Sequence, residues 1–564
     1  MTASTPARQA VAPLVRDRYG DDWWRRGVVY QIYPRSFADS DGDGMGDLAG
    51  ITSHLDHLGP EGLGIDAIWL SPIYPSSGRD GGYDVSDHAA VDPMLGSEAD
   101  FDELVAEAHA RGIRVILDLV MNHTSFEHPW FVASRASRDG PYADWFLWRD
   151  PSGVDARGRR RPPNNWRSFF GGPGWTWDPV RGQFYYHTFL AEQPEINWRA
   201  PGVEAAQFEM VRGWLDRGVD GFRLDVFNAF LKDPALRSNP RQRGTSPWGR
   251  QRHLHDRDQA DLAALLVRFR ALVDEQPGRM TVGELFDGTV ESAAGMTEAN
   301  HVVFDWELVS APWSTSGLAA AIDRREAAFG SDRWPTAVLS NHDQERHASR
   351  LARSAGTDDV DAVAKAAAVL LLTLRGTPFL YYGEELGMSD VDVPLDESVD
   401  PPVHNPDMQD WRDRSRGRTP MPWTGGPGAG FTTGRPWLRL GPDTETRNVA
   451  AQAADPDSVL ATYRRLLAAR TEIPVLTTGA LRRLDPSDPG ILAYQRTGPD
   501  GDALVLIDVG GTGAKVELDR LGPEGAGEWR PVVGSHRDPG ERSRDGRSIE
   551  FRPFEALVAV PAKP

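Results

Sequence analysis

Residues 114–123 read RVILDLVMNH, a run of β-branched and other apolar residues that ends in polar side chains. Short runs of this composition favour β-strands. Seven further runs of the same type occur along the chain: VVYQIYP from Val28, IDAIWLSP from Ile65, GFRLDVFN from Gly221, MTVGEL from Met280, HVVFDWEL from His301, TAVLSNHD from Thr336 and TPFLYYGEELG from Thr377. The chain therefore contains eight predicted strands.

Helical patterns separate the predicted strands. In residues 98–112, EADFDELVAEAHARG, one helical face carries the side chains of Phe101, Leu104, Val105 and Ala108. Strands that alternate with helices predict an α/β fold, here a (β/α)8 TIM barrel, whose active site lies at the C-terminal ends of the strands. Several polar residues fall at those ends: Asp118, Asn122, His123, Asp225, Glu284, His342 and Asp343.

Three segments depart from the barrel pattern. Residues 124–192 are rich in Gly, Pro and Trp and weakly periodic, which predicts a subdomain inserted after strand 3. Residues 476–564 contain short strand-like runs, which indicate a C-terminal antiparallel β-domain. Residues 1–21 show no periodicity and are interpreted as an N-terminal tail. The catalytic barrel is then predicted to span residues 22–475.

The composition disfavours several classes of function. The chain has 62 Lys and Arg against 82 Asp and Glu, and its net charge of −20 argues against nucleic acids and anionic membranes as partners. The absence of cysteine excludes disulfides and cysteine nucleophiles. No stretch has the length of a membrane helix or the pattern of a signal peptide, so we expect a cytoplasmic protein. We also expect a monomer or small homo-oligomer with no organic cofactor.

Two carboxyl groups end consecutive predicted strands, Asp225 in GFRLD and Glu284 in TVGE. Retaining cleavage of a glycosidic bond needs one carboxylate to attack the anomeric carbon and one carboxyl to protonate the leaving oxygen, about 5–5.5 Å apart. Neighbouring strands of a barrel can supply that separation. Arg223 lies two residues before Asp225 and on the same face, where it can keep Asp225 ionised. A partly dry pocket near other carboxylates would keep Glu284 protonated.

Six motifs occur in an order typical of one enzyme family: DLVMNH (118–123), QPEINW (193–198), GFRLD (221–225), VGEL (282–285), SNHD (340–343) and TPMPW (419–423). From about Trp23 to the C-terminus the chain resembles the α-amylase superfamily, glycoside hydrolase family thirteen, and within it the oligo-1,6-glucosidase and α-glucosidase branch. The resemblance implies a retaining, exo-acting α-glucosidase that hydrolyses short α-1,6 or α-1,4 glucosides through a covalent intermediate.

The resemblance also assigns roles to residues. Asp225 would be the nucleophile, Glu284 the general acid/base, and Asp343 a third carboxylate that stabilises the distorted sugar. Histidine side chains would donate to sugar hydroxyls, an aspartate would accept from them, and a tyrosine would stack on the ring. The expected substrate-binding residues are Asp84, Tyr83, His123, Arg223, Val226, His342 and Arg414. In the family an arginine before TPMPW completes the sugar site. Counting back from TPMPW without gaps places it at Arg414, whereas the Arg-Asp pair typical of the family begins at Arg412.

Val226 directly follows the predicted nucleophile, and this position indicates which type of glycosidic linkage the enzyme prefers. In this branch valine accompanies α-1,6 activity, and alanine or threonine accompanies α-1,4 activity. A β-branched side chain there would narrow the cavity near the bond being cleaved. The resemblance therefore predicts that isomaltose is preferred to maltose.

Other functions remain open at this stage. The same carboxylates can pass a glucosyl group to sugars or alcohols, as in a transglucosidase, a sucrose-active enzyme or a glucoside isomerase. A non-catalytic accessory subunit of amino-acid transporters would carry a membrane segment and lack the catalytic residues. A carbohydrate-binding module would not need three carboxylates. The residues present favour an enzyme.

Residues 39–47, DSDGDGMGD, have a spacing like that of a calcium-binding loop. Asp39, Asp41, Asp43 and Asp47 occupy positions 1, 3, 5 and 9, and Met45 offers its carbonyl at position 7. Gly50 stands where such a loop has its glutamate. The spacing predicts a structural Ca²⁺ or Mg²⁺ site, with a solvated acidic turn as the alternative.

Overall fold

A computed structural model describes residues 19–518, 521, 528–536, 538, 541–542 and 548–562. Eight parallel strands form one sheet: β1 (Val29–Ile32), β2 (Ala67–Leu70), β3 (Arg114–Leu119), β4 (Gly221–Leu224), β5 (Met280–Gly283), β6 (Val302–Val303), β7 (Thr336–Val338) and β8 (Thr377–Tyr381). The hydrogen-bonded order is β6-β5-β4-β3-β2-β1-β8-β7, so β1 pairs with β8. Each lies in a predicted run, and the predicted barrel is confirmed.

In the described part of the chain, eleven helices lie between these strands: α1 (Leu48–Ser53), α2 (Leu55–Leu58), α3 (Glu98–Ala110), α4 (Pro129–Ala136), α5 (Val203–Asp216), α6 (Leu262–Val273), α7 (Val290–Gly295), α8 (Glu307–Ser310), α9 (Thr315–Phe329), α10 (His347–Ala355) and α11 (Val360–Thr373). Three more of the described helices follow β8: α12 (Val449–Ala454), α13 (Val459–Glu472) and α14 (Val475–Thr478). The sequence of α3 explains its bounds. Ser97 and Asp100 form a reciprocal capping box at its start. Its predicted apolar face is buried throughout.

Alternation along the strands determines which side chains reach the barrel interior. On β3, Ile116 packs in an inner cluster with Trp69, whereas Val115 packs in the cluster that includes the helices. Successive strand residues point to opposite faces, so Asp118 shares the inner face with Ile116. Asp118 pairs in register with Arg223 of β4. Strand register therefore brings a carboxylate and a guanidinium together near the C-terminal ends of β3 and β4.

The segment between β3 and α5 contains α4 and small antiparallel sheets. One sheet has three strands, Trp148–Arg149, Gln183–Tyr186 and Trp175–Asp178, and a hairpin joins Gly153–Val154 to Arg160–Arg161. A separate apolar cluster holds this unit together and includes Trp166, Trp175, Phe184 and Tyr186. The insertion after strand 3 is thus present as a structured unit.

The C-terminal part contains a five-stranded antiparallel sheet of Ala480–Leu484, Ile491–Gly498, Gly501–Asp508, Ala556–Pro561 and Trp529–Gly534. Lys515–Glu517, Ser548–Glu550 and Glu541–Arg542 form a second, three-stranded sheet. At the other end, residues 1–18 of the predicted tail lie outside the described residues, and Gly20–Arg25 forms a 3₁₀ turn. Among the residues that the structure describes, no helix has the length and apolar character needed to cross a membrane.

Candidate active site

A cavity of about 310 Å³ lies where the strands of the barrel end. Its polar lining consists of Asp80, Tyr83, His123, Asp225, Glu284, Asp287, Asp343, Gln344 and Arg414. Its apolar lining consists of Phe169, Phe170, Phe189, Val226, Leu285, Phe286, Trp306 and Trp411. The three carboxyl groups predicted to be catalytic therefore face one cavity.

Asp225 and Glu284 directly follow β4 and β5, which are neighbours in the sheet. The backbone ladder continues through both residues, since Asp225 N donates to Leu119 O at 3.2 Å and Glu284 N donates to Leu224 O at 2.9 Å. Arg223 lies between the two carboxyl groups. Its Nη1 donates to Asp225 Oδ1 at 2.8 Å, and its Nη2 donates to Glu284 Oε2. One guanidinium thus bridges the predicted nucleophile and the predicted acid/base.

Asp118 holds this guanidinium from the neighbouring strand. Arg223 Nη1 donates to Asp118 Oδ1 at 2.7 Å, and both side chains are almost fully buried. The other oxygen of Asp118 accepts hydrogen bonds from Tyr83 at 2.8 Å and from Trp69 at 3.2 Å. Asp118 therefore orients both Arg223 and Tyr83 without lining the cavity itself.

Burial and the neighbouring carboxylates control the protonation of the central pair. Burial raises the pKa of Asp225 well above its usual range, Arg223 opposes this, and Glu284 adds to it. Burial likewise raises the pKa of Glu284, with Arg223 again opposing and Asp343 adding to the effect. Arg223 lowers the pKa of Asp225, in the direction that the sequence predicts, but burial outweighs the guanidinium. The raised pKa of Glu284 agrees with a proton donor.

Asp343 has the opposite electrostatic environment. Its Oδ1 accepts from Arg414 at 3.1 Å and from Arg418 at 2.8 Å, and its Oδ2 lies 3.1 Å from His342 Nε2. Burial acts to raise the pKa of Asp343, but His342, Arg414 and Arg418 outweigh it and hold that pKa well below its usual range. Asp343 is therefore ionised at neutral pH, next to a protonatable Glu284.

The structure distinguishes Arg414 from Arg412. Arg414 lines the cavity, is buried, and binds Asp80, Asp343 and Asp400 at 2.7, 3.1 and 2.6 Å. Arg412 instead pairs with Asp390, away from the cavity lining. Arg414, the arginine found by counting back from TPMPW without gaps, is therefore the one that reaches the predicted sugar site.

The placement of Asp84 corrects the sequence prediction. Its carboxylate accepts from the hydroxyls of Ser76 and Ser77 at 2.8 and 2.5 Å and from two backbone amides of its own loop, so it stabilises the turn and does not line the cavity. Asp80 lines the cavity instead. Both aspartates flank Tyr83 in RDGGYD, and only the turn conformation decides which carboxylate faces inward.

The predicted aromatic and histidine ligands lie around Tyr83. Tyr83 lines the cavity, and its ring stacks on that of His342 at 5.2 Å with an interplanar angle of 3°. His342 Nε2 lies 2.7 Å from the Tyr83 hydroxyl, and His342 itself does not line the cavity. His342 therefore holds the Tyr83 side chain in place. His123 lines the cavity, and burial lowers its pKa to about 3, which leaves the imidazole neutral at pH 7.

Gln193 is a site residue that the sequence prediction missed. Its Nε2 lies 3.0 Å from Asp80 Oδ2 and 3.1 Å from His123 Nε2, and its Oε1 accepts from Leu190 N at 3.0 Å. Gln193 is fully buried. It begins the QPEINW motif, one of the six motifs typical of the family. Its place in that motif is the sequence signal for a role in the site.

Aromatic side chains from distant parts of the chain form the apolar wall. Phe169 and Phe170 come from the insertion, whereas Phe286 follows Glu284 and Trp411 precedes Arg414. Phe169 contacts Phe286 and Trp411 edge to face, with ring centroids 4.7 and 5.6 Å apart. Three of the tryptophans of the insertion, Trp166, Trp175 and Trp177, do not line this cavity and pack together in a separate apolar cluster.

Val226 lies against the nucleophile with an unusual backbone. Its φ is 39° and its ψ is 41°, a left-handed conformation that β-branched residues rarely adopt. The side chain is only 5% exposed, lines the cavity, and packs with Phe170 and Phe189. The strained turn directs the valine side chain into the cavity directly after Asp225.

The predicted metal loop brings three of its four aspartates together. Ligand oxygens of Asp39, Asp41 and Asp43 lie within 4.8 Å of one another. The Asp47 carboxylate lies outside that cluster, since it accepts from Ser40 N at 2.8 Å and caps α1 through Gly50 N at 2.6 Å. The three clustered carboxylates suit a hard cation, and Asp47 contributes to the loop as a helix cap.

Residues 31–479 match the family described as "Alpha amylase, catalytic domain". The chain belongs to the α-amylase family. A probable alpha-glucosidase from Rhizobium meliloti is 42% identical over 529 residues, covering 90% of this chain and 93% of that protein. An oligo-1,6-glucosidase from Heyndrickxia coagulans is 36% identical over 572 residues, covering 95% and 99%.

Among solved structures of this family, the α-glucosyl transfer enzyme XgtA superposes with a TM-score of 0.87 at 39% identity. The match covers 96% of this chain and 99% of that one. The chain is a glycoside hydrolase of the α-glucosidase type. A non-catalytic accessory protein or a binding module does not agree with the complete set of carboxyl groups in the cavity.

Proposed function

We propose that the chain is a retaining, exo-acting α-glucosidase that hydrolyses short α-glucosides through a covalent β-glucosyl-enzyme intermediate. The observation that carries the proposal is the bridge from Arg223 to both Asp225 and Glu284 at the ends of adjacent strands. A single guanidinium between two carboxyl groups keeps them close, as the retaining mechanism requires.

In the first step Asp225 attacks the anomeric carbon while the bond from that carbon to the glycosidic oxygen breaks. Glu284 donates its proton to the departing oxygen, so the leaving sugar is released as a neutral alcohol. In the second step Glu284 accepts a proton from water, whose oxygen displaces Asp225. Two inversions restore the α configuration, and Glu284 is protonated again.

The polar end of the cavity fits the terminal glucosyl unit. Asp80 and Arg414 are buried and form an ion pair at 2.7 Å, which closes the cavity at that end. Their remaining donors and acceptors, with those of Asp343 and His123, suit the hydroxyl groups of one hexose. A closed end of this kind supports exo-action, because a longer chain on the non-reducing side would meet the ion pair.

We propose a preference for α-1,6 over α-1,4 linkages. Val226 projects next to Asp225, where the scissile bond must pass, and an α-1,6 bond has an extra methylene that can carry the leaving sugar around the valine. The test compares kcat/KM for isomaltose and maltose in the wild type and in Val226→Ala and Val226→Thr. Both substitutions are expected to shift the ratio toward maltose by about 1–3 kcal/mol.

Val290→Ala is the matched control for Val226, because Val290 is buried but lies outside the cavity lining. It should leave the isomaltose-to-maltose ratio unchanged even if stability falls. A wild type that prefers maltose, with a ratio that does not respond to either Val226 substitution, would reject the linkage proposal without affecting the assignment of Asp225 and Glu284.

Glucosyl transfer to a sugar or alcohol is the second candidate. The apolar wall of Phe169, Phe286 and Trp411 favours it, because aromatic faces can hold an acceptor while excluding water. Transfer in sucrose-active enzymes and glucoside isomerases would use the same double displacement. Chromatography of the products from isomaltose, maltose, sucrose, trehalose and starch separates hydrolysis from transfer and isomerisation.

Three further expectations belong to the proposal. The Asp39, Asp41 and Asp43 cluster would hold a structural Ca²⁺ or Mg²⁺, remote from the carboxyl groups that react. No organic cofactor is needed for the double displacement. From the sequence we expect a monomer or small homo-oligomer acting in the cytoplasm on small α-glucosides.

A further inference from the structure

Asp287 lines the cavity in a position that the mechanism above does not use. It lies three residues after Glu284, and its side chain is 53% exposed at the mouth of the site. Its φ of 49° is left-handed, a conformation that aspartate, asparagine and glycine adopt more readily than other residues. The backbone therefore turns sharply directly after the acid/base, and the turn presents a carboxylate.

Two side chains hold this turn by its backbone. Asn228 accepts from Phe286 N at 2.9 Å and donates to Phe286 O at 3.0 Å. Arg257 Nη1 donates to Phe286 O at 2.6 Å and to Asp287 O at 2.8 Å. Since Asn228 lies just after the nucleophile Asp225, the turn is tied to both catalytic strands. Hydrogen bonds with Asn228 and Arg257 therefore fix the turn that carries Asp287.

Both polar contacts of the Asp287 carboxylate within the described residues are made by the same oxygen, Oδ2. Arg257 Nη2 lies 3.0 Å from Oδ2, and Trp248 Nε1 lies 3.4 Å from the same oxygen. Within the described part of the chain, no hydrogen bond or ion pair involves Oδ1. One oxygen anchors the side chain, and the other is available as an acceptor beside the cavity.

The position of Asp287 in the cavity lining, three residues after Glu284, favours the leaving-group side of the reaction. Glu284 must reach the glycosidic oxygen, so the residues that follow Glu284 border the sugar attached beyond that oxygen. Asp80 and Arg414, the residues proposed to bind the glucosyl unit, pair with each other, whereas Asp287 pairs with Arg257 in a separate part of the lining. The lining next to Asp287 includes Phe286, and the ring of Trp248 packs against Phe286 with ring centroids 5.5 Å apart. A carboxylate among these rings can accept hydrogen bonds from a sugar in defined directions, which the aromatic rings cannot do.

We propose that Asp287 determines specificity by accepting hydrogen bonds from hydroxyl groups of the leaving sugar. The ligand class is a polyhydroxylated leaving group, or the same group acting as acceptor in transfer, in contrast to leaving groups without hydroxyls. The inference rests on the proposed α-glucosidase activity. Asp287 is a binding residue for the leaving unit and takes no part in proton transfer.

The test uses substrates that differ only in the leaving group. Isomaltose carries hydroxyls in its leaving sugar, whereas α-D-glucosyl fluoride releases fluoride and makes no contact with Asp287. Asp287→Gly removes the side chain without backbone strain, since glycine tolerates the left-handed turn. Asp287→Asn keeps the shape and a neutral acceptor. For Asp287→Gly, kcat/KM for isomaltose should fall about tenfold, the usual worth of one charge-assisted hydrogen bond.

With glucosyl fluoride, Asp287→Gly should retain kcat/KM within about twofold, because glycosylation then needs no contact with a leaving sugar. Asp287→Asn should lose less than Asp287→Gly on isomaltose. Asp500→Ala, an exposed aspartate in a C-terminal turn, is the control for loss of charge. An equal loss on both substrates would show that Asp287 only supports the turn, and no loss on either would remove it from the site. Wild-type hydrolysis of glucosyl fluoride with retention tests the α-glucosidase proposal separately.

Discussion

Arg414 Nη2 lies 2.7 Å from Asp80 Oδ1, although 334 positions separate the two residues in the chain. The same guanidinium binds Asp343 at 3.1 Å through Nη1. Arg414 thus connects two carboxylates of the cavity lining, Asp80 and Asp343. Because all three groups are buried or cavity-lining, a small displacement of Arg414 would move two predicted sugar ligands at once.

Replacing Arg414 with lysine should lower kcat/KM for α-glucosides about a hundredfold, because an ammonium cannot hold several carboxylates in a fixed fork. Arg412→Lys is the matched control, since Arg412 pairs with Asp390 outside the cavity lining. It should change kcat/KM by no more than about twofold, because lysine keeps the positive charge at a position that does not contact the cavity. Equal effects of the two substitutions on steady-state kinetics would contradict the assignment of Arg414.

Glu284→Gln should be nearly inactive on natural disaccharides but less impaired in forming the glucosyl-enzyme from substrates with good leaving groups, which need little protonation. Azide should then accelerate the second step and yield β-glucosyl azide, because an anionic nucleophile needs no general base. Rapid-mix kinetics and NMR of the product test this. A uniform loss on all substrates with no azide adduct would show that Glu284 is not the acid/base.

Asp225→Asn should reduce turnover to less than about a thousandth of the wild-type rate while the fold is retained, because an amide cannot attack the anomeric carbon. Circular dichroism confirms the fold, and the initial rate on isomaltose measures the loss. Residual activity above that level would mean that another group supplies the nucleophile.

The same variant should be more stable than the wild type at neutral pH. The folded-state pKa of Asp225 is raised by burial above its unfolded value, so its stabilising contribution is complete below that unfolded value and is lost as pH rises through the folded pKa. Asparagine does not ionise and avoids this loss. The free energy of unfolding of Asp225→Asn should therefore exceed that of the wild type at pH 7.

This stability difference should shrink as pH falls, because protonation makes the Asp225 side chain of the wild type neutral, as asparagine is. Thermal melts at pH 4, 5, 6 and 7 measure the trend. A variant whose relative stability does not change with pH would show that the environment of Asp225 does not raise its pKa in the folded protein.

If Asp39, Asp41 and Asp43 bind a cation, prolonged chelation should lower the Tm and added Ca²⁺ should restore it. Linkage predicts about 3 kcal/mol of stabilisation at a metal concentration near 100 times Kd. The double variant Asp41→Asn and Asp43→Asn should reproduce the chelated state. Asp500→Asn with Asp502→Asn removes the same charge elsewhere and should still respond to Ca²⁺. An unchanged Tm together with no metal by elemental analysis would exclude the site.

Much of the site could be predicted from the motifs at the strand ends, because each motif is a short run of consecutive residues. Asp225 and Glu284 end strands whose order in the barrel follows from their order in the sequence, so their meeting in one cavity could be anticipated. Asp84 shows where this reasoning failed. Two aspartates flank Tyr83, and a turn of the loop directs Asp80 inward and Asp84 toward its own backbone.

The amino-acid sequence was enough to predict the eight strands, the insertion, the C-terminal sheets and the family, because strand and helix periodicities and ordered motifs are properties of short segments. Tertiary structure alone decided that burial outweighs Arg223 at Asp225, that Arg414 joins Asp80 to Asp343, and that Asp287 lines the cavity. Desolvation, long-range ion pairs and loop conformation depend on groups that are distant in the chain, so no local pattern encodes them.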